Sequence, residues 1–153
     1  MPQGVILIRH GEYDGNFLTT NGEQAIKRLA AKIKSIIYIE SCITKIISST
    51  SPRAFRSANI LAQGLDLERN RDHYECLRSE KEEIEDPEGI FELIDKKYAD
   101  ADILIIVTHA PVCQKFPALY AERHNWEPEG EFYCDYAGAI LLHIDDRFCA
   151  AFT

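Results

Sequence analysis

Two short, uninterrupted apolar runs organise the hydrophobic pattern of this chain, Val5-Ile6-Leu7-Ile8 and Ile103-Leu104-Ile105-Ile106-Val107. Each is too short for a typical helix and rich in β-branched residues, the pattern of a strand buried on both faces of a parallel sheet. Lys45-Ile46-Ile47-Ser48-Ser49 predicts a third strand, and a weaker one is expected around Tyr74 to Leu77. Between these runs the period changes to that of a helix. Ala25, Ile26, Leu29, Ala30, Ile33, Ile36 and Ile37 recur at helical spacing with Lys27, Arg28, Lys32 and Lys34 outside, behind the capping-box spacing Thr20-Asn21-Gly22-Glu23. Ser51 and Pro52 suit the cap and first turn of a second helix, with Ala54, Ala58, Leu61, Ala62 and Leu65 on its face and Gly64 near its end. Ile90, Phe91, Ile94 and Tyr98 predict a third helix. Pro111 opens a fourth, with Val112, Phe116, Leu119 and Tyr120 on its face. The tail, Ala139–Ile144 and Phe148–Phe152 around Asp145-Asp146-Arg147, reads as a hairpin at a sheet edge.

Strands alternating with helices predict an α/β fold in three layers, a mostly parallel sheet with helices on both faces and right-handed crossovers. With 153 residues, one domain over 1–153 is the expectation. The longest apolar run is far too short to span a bilayer. The start of the chain has neither a basic region nor a signal-length apolar core, so a cytoplasmic protein is expected. The five cysteines have irregular spacing and no C-x-x-C pair, which suits reduced thiols that fill core space. A net charge of −8 and the lack of any basic stripe argue against a nucleic-acid or membrane partner. The dense acidic run from Glu80 to Glu88 reads as a solvated surface.

Chemistry collects at the ends of the strands. Arg9-His10-Gly11 follows the first run, Thr108-His109 follows the second, and Arg53 sits just inside the helix after the third strand. Open α/β sheets gather such positions on one edge, where ligands bind. Two guanidiniums and two imidazoles there suit a dianionic group such as phosphate, with helix N-termini adding N–H donors. An imidazole so placed can attack phosphorus in line and form a phosphohistidine that water then opens. The leaving oxygen needs a proton, which a carboxylic acid supplies. No metal or other cofactor is expected.

Leu7-Ile8-Arg9-His10-Gly11-Glu12 resembles the Arg-His-Gly signature of the histidine phosphatase superfamily, the phosphoglycerate mutase-like proteins. Leu18-Thr19-Thr20-Asn21-Gly22-Glu23-Gln24-Ala25 is similar to the family's L-T-x-x-G-x-x-Q-A block, with the Gln-Ala pair displaced by one residue. Ser49 to Ala58 is similar to its S-x-x-x-R-A-x-x-[ST]-A block, and Thr108-His109 to its second histidine. The resemblance covers Val5 to about Lys115, in the family's order. It implies a phosphoglycerate mutase-like fold, with His10 as nucleophile and Arg9, Arg53 and His109 completing the phosphate pocket. Arg53 rather than Arg56 is then the second arginine, and Asn16 a further phosphate contact. The family's acid stands in a Leu-x-Glu context followed by glycine. Leu77-Arg78-Ser79-Glu80 has one residue more and no nearby glycine, so Glu80 is the first candidate, with Glu75 and Glu82 behind it. Segments that form a lid in larger members are short here, which implies an open site.

The expected activity is hydrolysis of a phosphomonoester through a phosphohistidine on His10, with a phosphorylated small molecule or phosphoprotein as substrate. A protein phosphohistidine phosphatase is the alternative, since nitrogen leaves from phosphorus more readily than oxygen. A mutase would need a more enclosed site. From another class, a non-catalytic phosphate-binding or interaction module stays open. His73, His124 and His143 lack comparable context, and no histidine pair has close metal-ligand spacing. Cys113, a turn beyond His109, reads as core packing rather than a reactive thiol. Trp126 and Tyr133 either line the mouth of the site or cover the sheet.

Overall fold

The computed structural model describes residues 1–67, 72–79, 81–127 and 132–153. In chain order it has β1 (Gly4–Arg9), a small hairpin of β2 (Tyr13–Asp14) and β3 (Phe17–Leu18), α1 (Thr20–Ile36), β4 (Thr44–Ser49), α2 (Pro52–Gly64) and β5 (His73–Tyr74). Then follow α3 (Pro87–Glu92), β6 (Ile103–Thr108), α4 (Ala110–Arg123), β7 (Ala139–His143) and β8 (Phe148–Phe152). Six strands form one sheet in the order β5-β4-β6-β1-β7-β8. The first four in that order run parallel, and the tail hairpin adds the antiparallel edge.

The unbroken apolar runs serve both faces at once, as a strand's alternating side chains require. From β1, Val5 and Leu7 join Leu104, Ile106, Ile90, Phe91, Phe116 and Tyr120 in one core, beneath α3 and α4. Ile6 and Ile8 point the other way and join Ile105, Val107, Ile26, Leu29, Ile33 and Leu61 beneath α1 and α2. These side chains of β1 and β6 are fully buried. Burial of that kind contributes about 1.5–3 kcal/mol per side chain before entropy is counted.

Local detail departs from the sequence pattern in four places. The cap of α1 is Thr19 rather than Thr20: its side-chain oxygen accepts the Gly22 N–H at 3.0 Å, while its own N–H donates to the Glu12 carbonyl. Glu23 is thereby free to pair with Arg56, at 3.2 Å. The strand expected around Tyr74 to Leu77 stops at Tyr74, and Glu75–Leu77 form a 3₁₀ turn. That turn buries Leu77 and offers its carbonyl to Thr108 Oγ1 at 2.7 Å. The third helix widens to a π-turn over Leu93–Lys97. The turn carries Tyr98 to Asp72 and Tyr74, each 2.7 Å from its hydroxyl. Finally, Ile36 and Leu119 lie at the exposed margins of their helices, where neither core reaches.

One close approach ties helix α1 to the loop after β1. A Cβ on Gly22 would stand 2.2 Å from the Glu12 carbonyl oxygen, and one on Gly11 would stand 2.8 Å from that of Gly22. Backbone here lies against backbone, which no side-chain rotation relieves. Alanine in a helix ordinarily gains up to about 1 kcal/mol over glycine. Gly22→Ala is instead expected to destabilise the protein by about 1–3 kcal/mol, read from the midpoint of urea unfolding. A rise in midpoint would show the contact to be loose.

Candidate active site

The pairing of β1 with β6 brings the two histidines together. Arg9 lies opposite Thr108, and the His10 N–H donates to the Thr108 carbonyl at 3.0 Å, so the strands release His10 and His109 side by side. Their rings meet edge to face with centroids 5.2 Å apart. β4, on the far side of β6, ends at Ser49, and the first turn of α2 carries Arg53 back over the same edge. On the other flank, residues 132–138 lead into β7 and are bonded to β1: Arg9 N–H to the Gly138 carbonyl, and Ala137 N–H to the carbonyls of Arg9 and His10.

His10 is buried and its tautomer is set. Nδ1 lies 2.9 Å from the Gly11 carbonyl oxygen, which can only accept, so Nδ1 carries the proton and Nε2 keeps a lone pair. The Arg53 Nε–H donates to that Nε2 at 3.2 Å. Gly11 N–H donates to Ser57 Oγ, whose hydroxyl donates to the Arg53 carbonyl, linking the loop after β1 to α2. His109 Nε2 lies 2.9 Å from Ser49 Oγ. That oxygen also accepts the Ser51 N–H.

Both imidazoles titrate far below the usual value of 6.5. Burial pushes His10 down to about 4, with Arg53 and Arg9 adding to the effect against the Gly11 carbonyl. Burial pushes His109 down to about 3, with His10, Arg53, Arg78 and Arg9 adding. Every side chain in those two sets is cationic or an imidazole. Both rings are therefore neutral at pH 7, as a nitrogen nucleophile requires.

Donors without partners mark the same edge. Five buried side-chain polar atoms lack a hydrogen-bond partner among the described residues; three of them, Arg9 Nε, Thr50 Oγ1 and Ser51 Oγ, lie at the site. Arg9 spends Nη1 on the Cys134 carbonyl at 3.1 Å. Ser51 and His109 are the caps of α2 and α4, so two helix N-termini open here. Buried donors in a positive pocket suit an oxyanion.

Arg9, His10, Arg53 and His109 thus converge as the strand-end argument requires, and Arg56 turns to the surface to pair with Glu23. Asn16 stands exposed in the turn of the small hairpin, beside Gly15. Glu80 lies outside the described residues. Glu75 is exposed within 3.9 Å of Arg78, and Glu82 is exposed. The Glu12 carboxylate accepts from Thr19 at 2.9 Å. Trp126 is buried in the core, whereas Tyr133 is 77% exposed. Cys113 is fully buried and its thiol is pushed well up, in keeping with core packing. Among the described residues there is no cluster of three or more metal-ligating side chains, and no helix is long and apolar enough to cross a membrane.

Pattern reading missed Ser49, Ser57, Tyr13 and Tyr136. Ser49 and Ser57 were visible as the hydroxyl positions of the Ser49–Ala58 block. The tyrosines carried no signal beyond Tyr13 standing three residues after His10.

No family model and no curated protein matches the chain. Solved structures do. The protein histidine phosphatase SixA, complexed with tungstate, superposes with a TM-score of 0.72 at 17% identity, over 98% of this chain and 94% of that one. The mycobacterial glucosyl-3-phosphoglycerate phosphatase Rv2419c, complexed with VO3, gives 0.65 at 15% identity, over 99% and 98%. Phosphoglycerate mutase from Plasmodium falciparum gives 0.58 at 17% identity, over 98% and 88%. The chain has the phosphoglycerate mutase-like fold of the histidine phosphatases. At such identities the likeness is one of architecture, and the chemistry rests on the site itself.

The depressed histidines carry a stability signature. A folded-state pKa below the unfolded 6.5 means that the unfolded chain takes up protons first as pH falls, so stability present at pH 7 is lost between about 6.5 and the folded values of about 4 and 3. Urea unfolding from pH 7.5 to 4.5 is expected to show wild type losing more stability than His10→Asn, by on the order of 1–3 kcal/mol. Equal slopes would show that His10 titrates normally.

Proposed function

We propose that the chain is a metal-independent phosphatase that works through a phosphohistidine on His10. One observation carries this reading: a neutral imidazole with Nδ1–H held on a carbonyl and an unprotonated Nε2 that accepts from Arg53, set among two guanidiniums and a second imidazole. An incoming phosphoryl group would draw the free N–H groups of Arg9 and Arg53 onto its oxygens, releasing Nε2 from Arg53. Nε2 then attacks phosphorus, the N–P bond forms as the bond to the leaving group breaks, and the leaving group takes a proton. Water next attacks phosphorus and gives a proton back to the group that protonated the leaving group, the N–P bond breaks, and phosphate departs while Nε2 recovers its lone pair. The cations spread the charge on the equatorial oxygens throughout. Asn16 would be a further contact to the phosphoryl group, and Glu80 the proton donor to an oxygen leaving group. Five free cysteines support a reducing compartment such as the cytoplasm.

A phosphomonoester is the leading substrate class. A phosphohistidine-bearing protein is the second reading. An imidazole leaving group departs with less help than an alkoxide, so such a substrate depends less on an acid. The likeness to SixA, across almost the whole length of both chains, supports the same reading.

His10→Ala is expected to abolish phosphate release and the acid-labile, base-stable phosphoenzyme trapped by rapid quench from labelled substrate. Full activity in that variant would sink the nucleophile assignment, and a wild type inactive on a broad panel would leave a binding module. Glu80→Gln is expected to slow hydrolysis of an alkyl phosphate about 10²-fold and of a phosphohistidine protein only slightly. Equal losses on both substrates would remove Glu80 as the acid.

A further inference from the structure

Two tyrosines from opposite ends of the chain stand over the arginines. The guanidinium carbon of Arg53 lies over the Tyr13 ring, 4.6 Å from its centroid, and that of Arg9 over the Tyr136 ring, at 4.0 Å. The rings meet each other at 84° with centroids 6.1 Å apart, and lie 5.2 Å and 5.9 Å from the His10 ring. Each is built in by its own loop. Tyr13 opens the small hairpin, whose following residues lead to the Thr19 cap. Tyr136 sits in a turn closed by Gly138 N–H on the Asp135 carbonyl, with its own N–H on Asp135 Oδ1 and Ala137 next to it in the left-handed region at φ 55°.

We propose that Tyr13 and Tyr136 are positioning residues, each holding one phosphate-binding guanidinium by its face so that the edge N–H groups stay aimed at the anion. An arginine's stem alone leaves its planar head free to swing. Here each head has one polar tie, Arg53 to His10 Nε2 and Arg9 to the Cys134 carbonyl, and a ring against it. The ring takes no N–H away, because the attraction is to the face. When phosphate takes Arg53 from Nε2, the tie to His10 is gone and the Tyr13 ring is what keeps the plane in register. Lysine at position 53 would carry the charge without a plane to hold.

The proposal rests on Arg9 and Arg53 being the phosphate ligands, and inorganic phosphate binding tests it without needing turnover. Tyr13→Leu and Tyr136→Leu are each expected to weaken phosphate binding about fivefold by calorimetry, with phenylalanine at the same positions restoring it to within about twofold of wild type. In an Arg53→Ala background, Tyr13→Leu should cost nothing further, while Tyr136→Leu should still cost its full factor. Both rings are more than a third exposed, so the leucine variants are expected to keep the wild-type thermal midpoint. Leucine variants that bind phosphate as wild type does would overturn the proposal. So would a Tyr13→Leu loss that persists without Arg53, which would make the ring a direct contact, or a failure of phenylalanine to restore binding, which would put the effect in the hydroxyl. Phosphate binding without any turnover would instead sink the phosphatase reading and leave this one standing.

Discussion

The register between β1 and β6 is the constraint on which the site depends. Both strands are buried on both faces, so each residue's side is decided by which core it fills. A slip of one residue would turn every side chain to the opposite face and expel Ile6 and Ile8 from the core beneath α1 and α2. The register that satisfies both cores is also the one that sets Arg9 beside Thr108 and releases the two histidines together. Packing energy spread over the strands thereby fixes a geometry at their ends that the site residues could not hold alone.

Electrostatics at that edge run against the rest of the molecule. The chain carries a net charge of −8, yet the charged groups that press on His10 are Arg53 and Arg9, and those that press on His109, beside His10 itself, are Arg53, Arg78 and Arg9. Burying imidazoles among guanidiniums costs stability, and the molecule avoids the worst of the cost by keeping the imidazoles neutral. The same arrangement leaves positive charge and unpartnered donors waiting, which an oxyanion resolves. On the surface of the α3 and α4 layer, Glu83 and Glu88 pair with Lys115 and Arg123.

Support for the site comes from flanks distant in sequence. Ser57 holds the Gly11 amide, Ser49 holds His109, and the loop before β7 grips the backbone of Arg9 and His10 from the other side. The contact between Gly11 and Gly22 brings α1 against the same loop. His10 is therefore held by elements distant in sequence, although its own segment supplies only a strand end and a carbonyl.

Much of this was legible along the chain. Apolar runs, helical spacing, the Ser51-Pro52 start and the tail hairpin are local properties, and each names its element wherever it folds. The strand-end rule then placed Arg9, His10, Arg53 and His109 on one edge, because topology alone brings those positions together. Other features depend on what arrives from far away. The cap moved to Thr19 because the Glu12 carbonyl claims its N–H, and the strand after α2 ended early because Leu77 was needed over Thr108. The tyrosines over the arginines join residues 13 and 53, and 9 and 136, pairs that no local period connects. Sequence by itself determined which residues gather at the strand ends; only the tertiary structure decided how the imidazoles are kept neutral and the guanidiniums held, since burial and stacking exist only once distant segments meet.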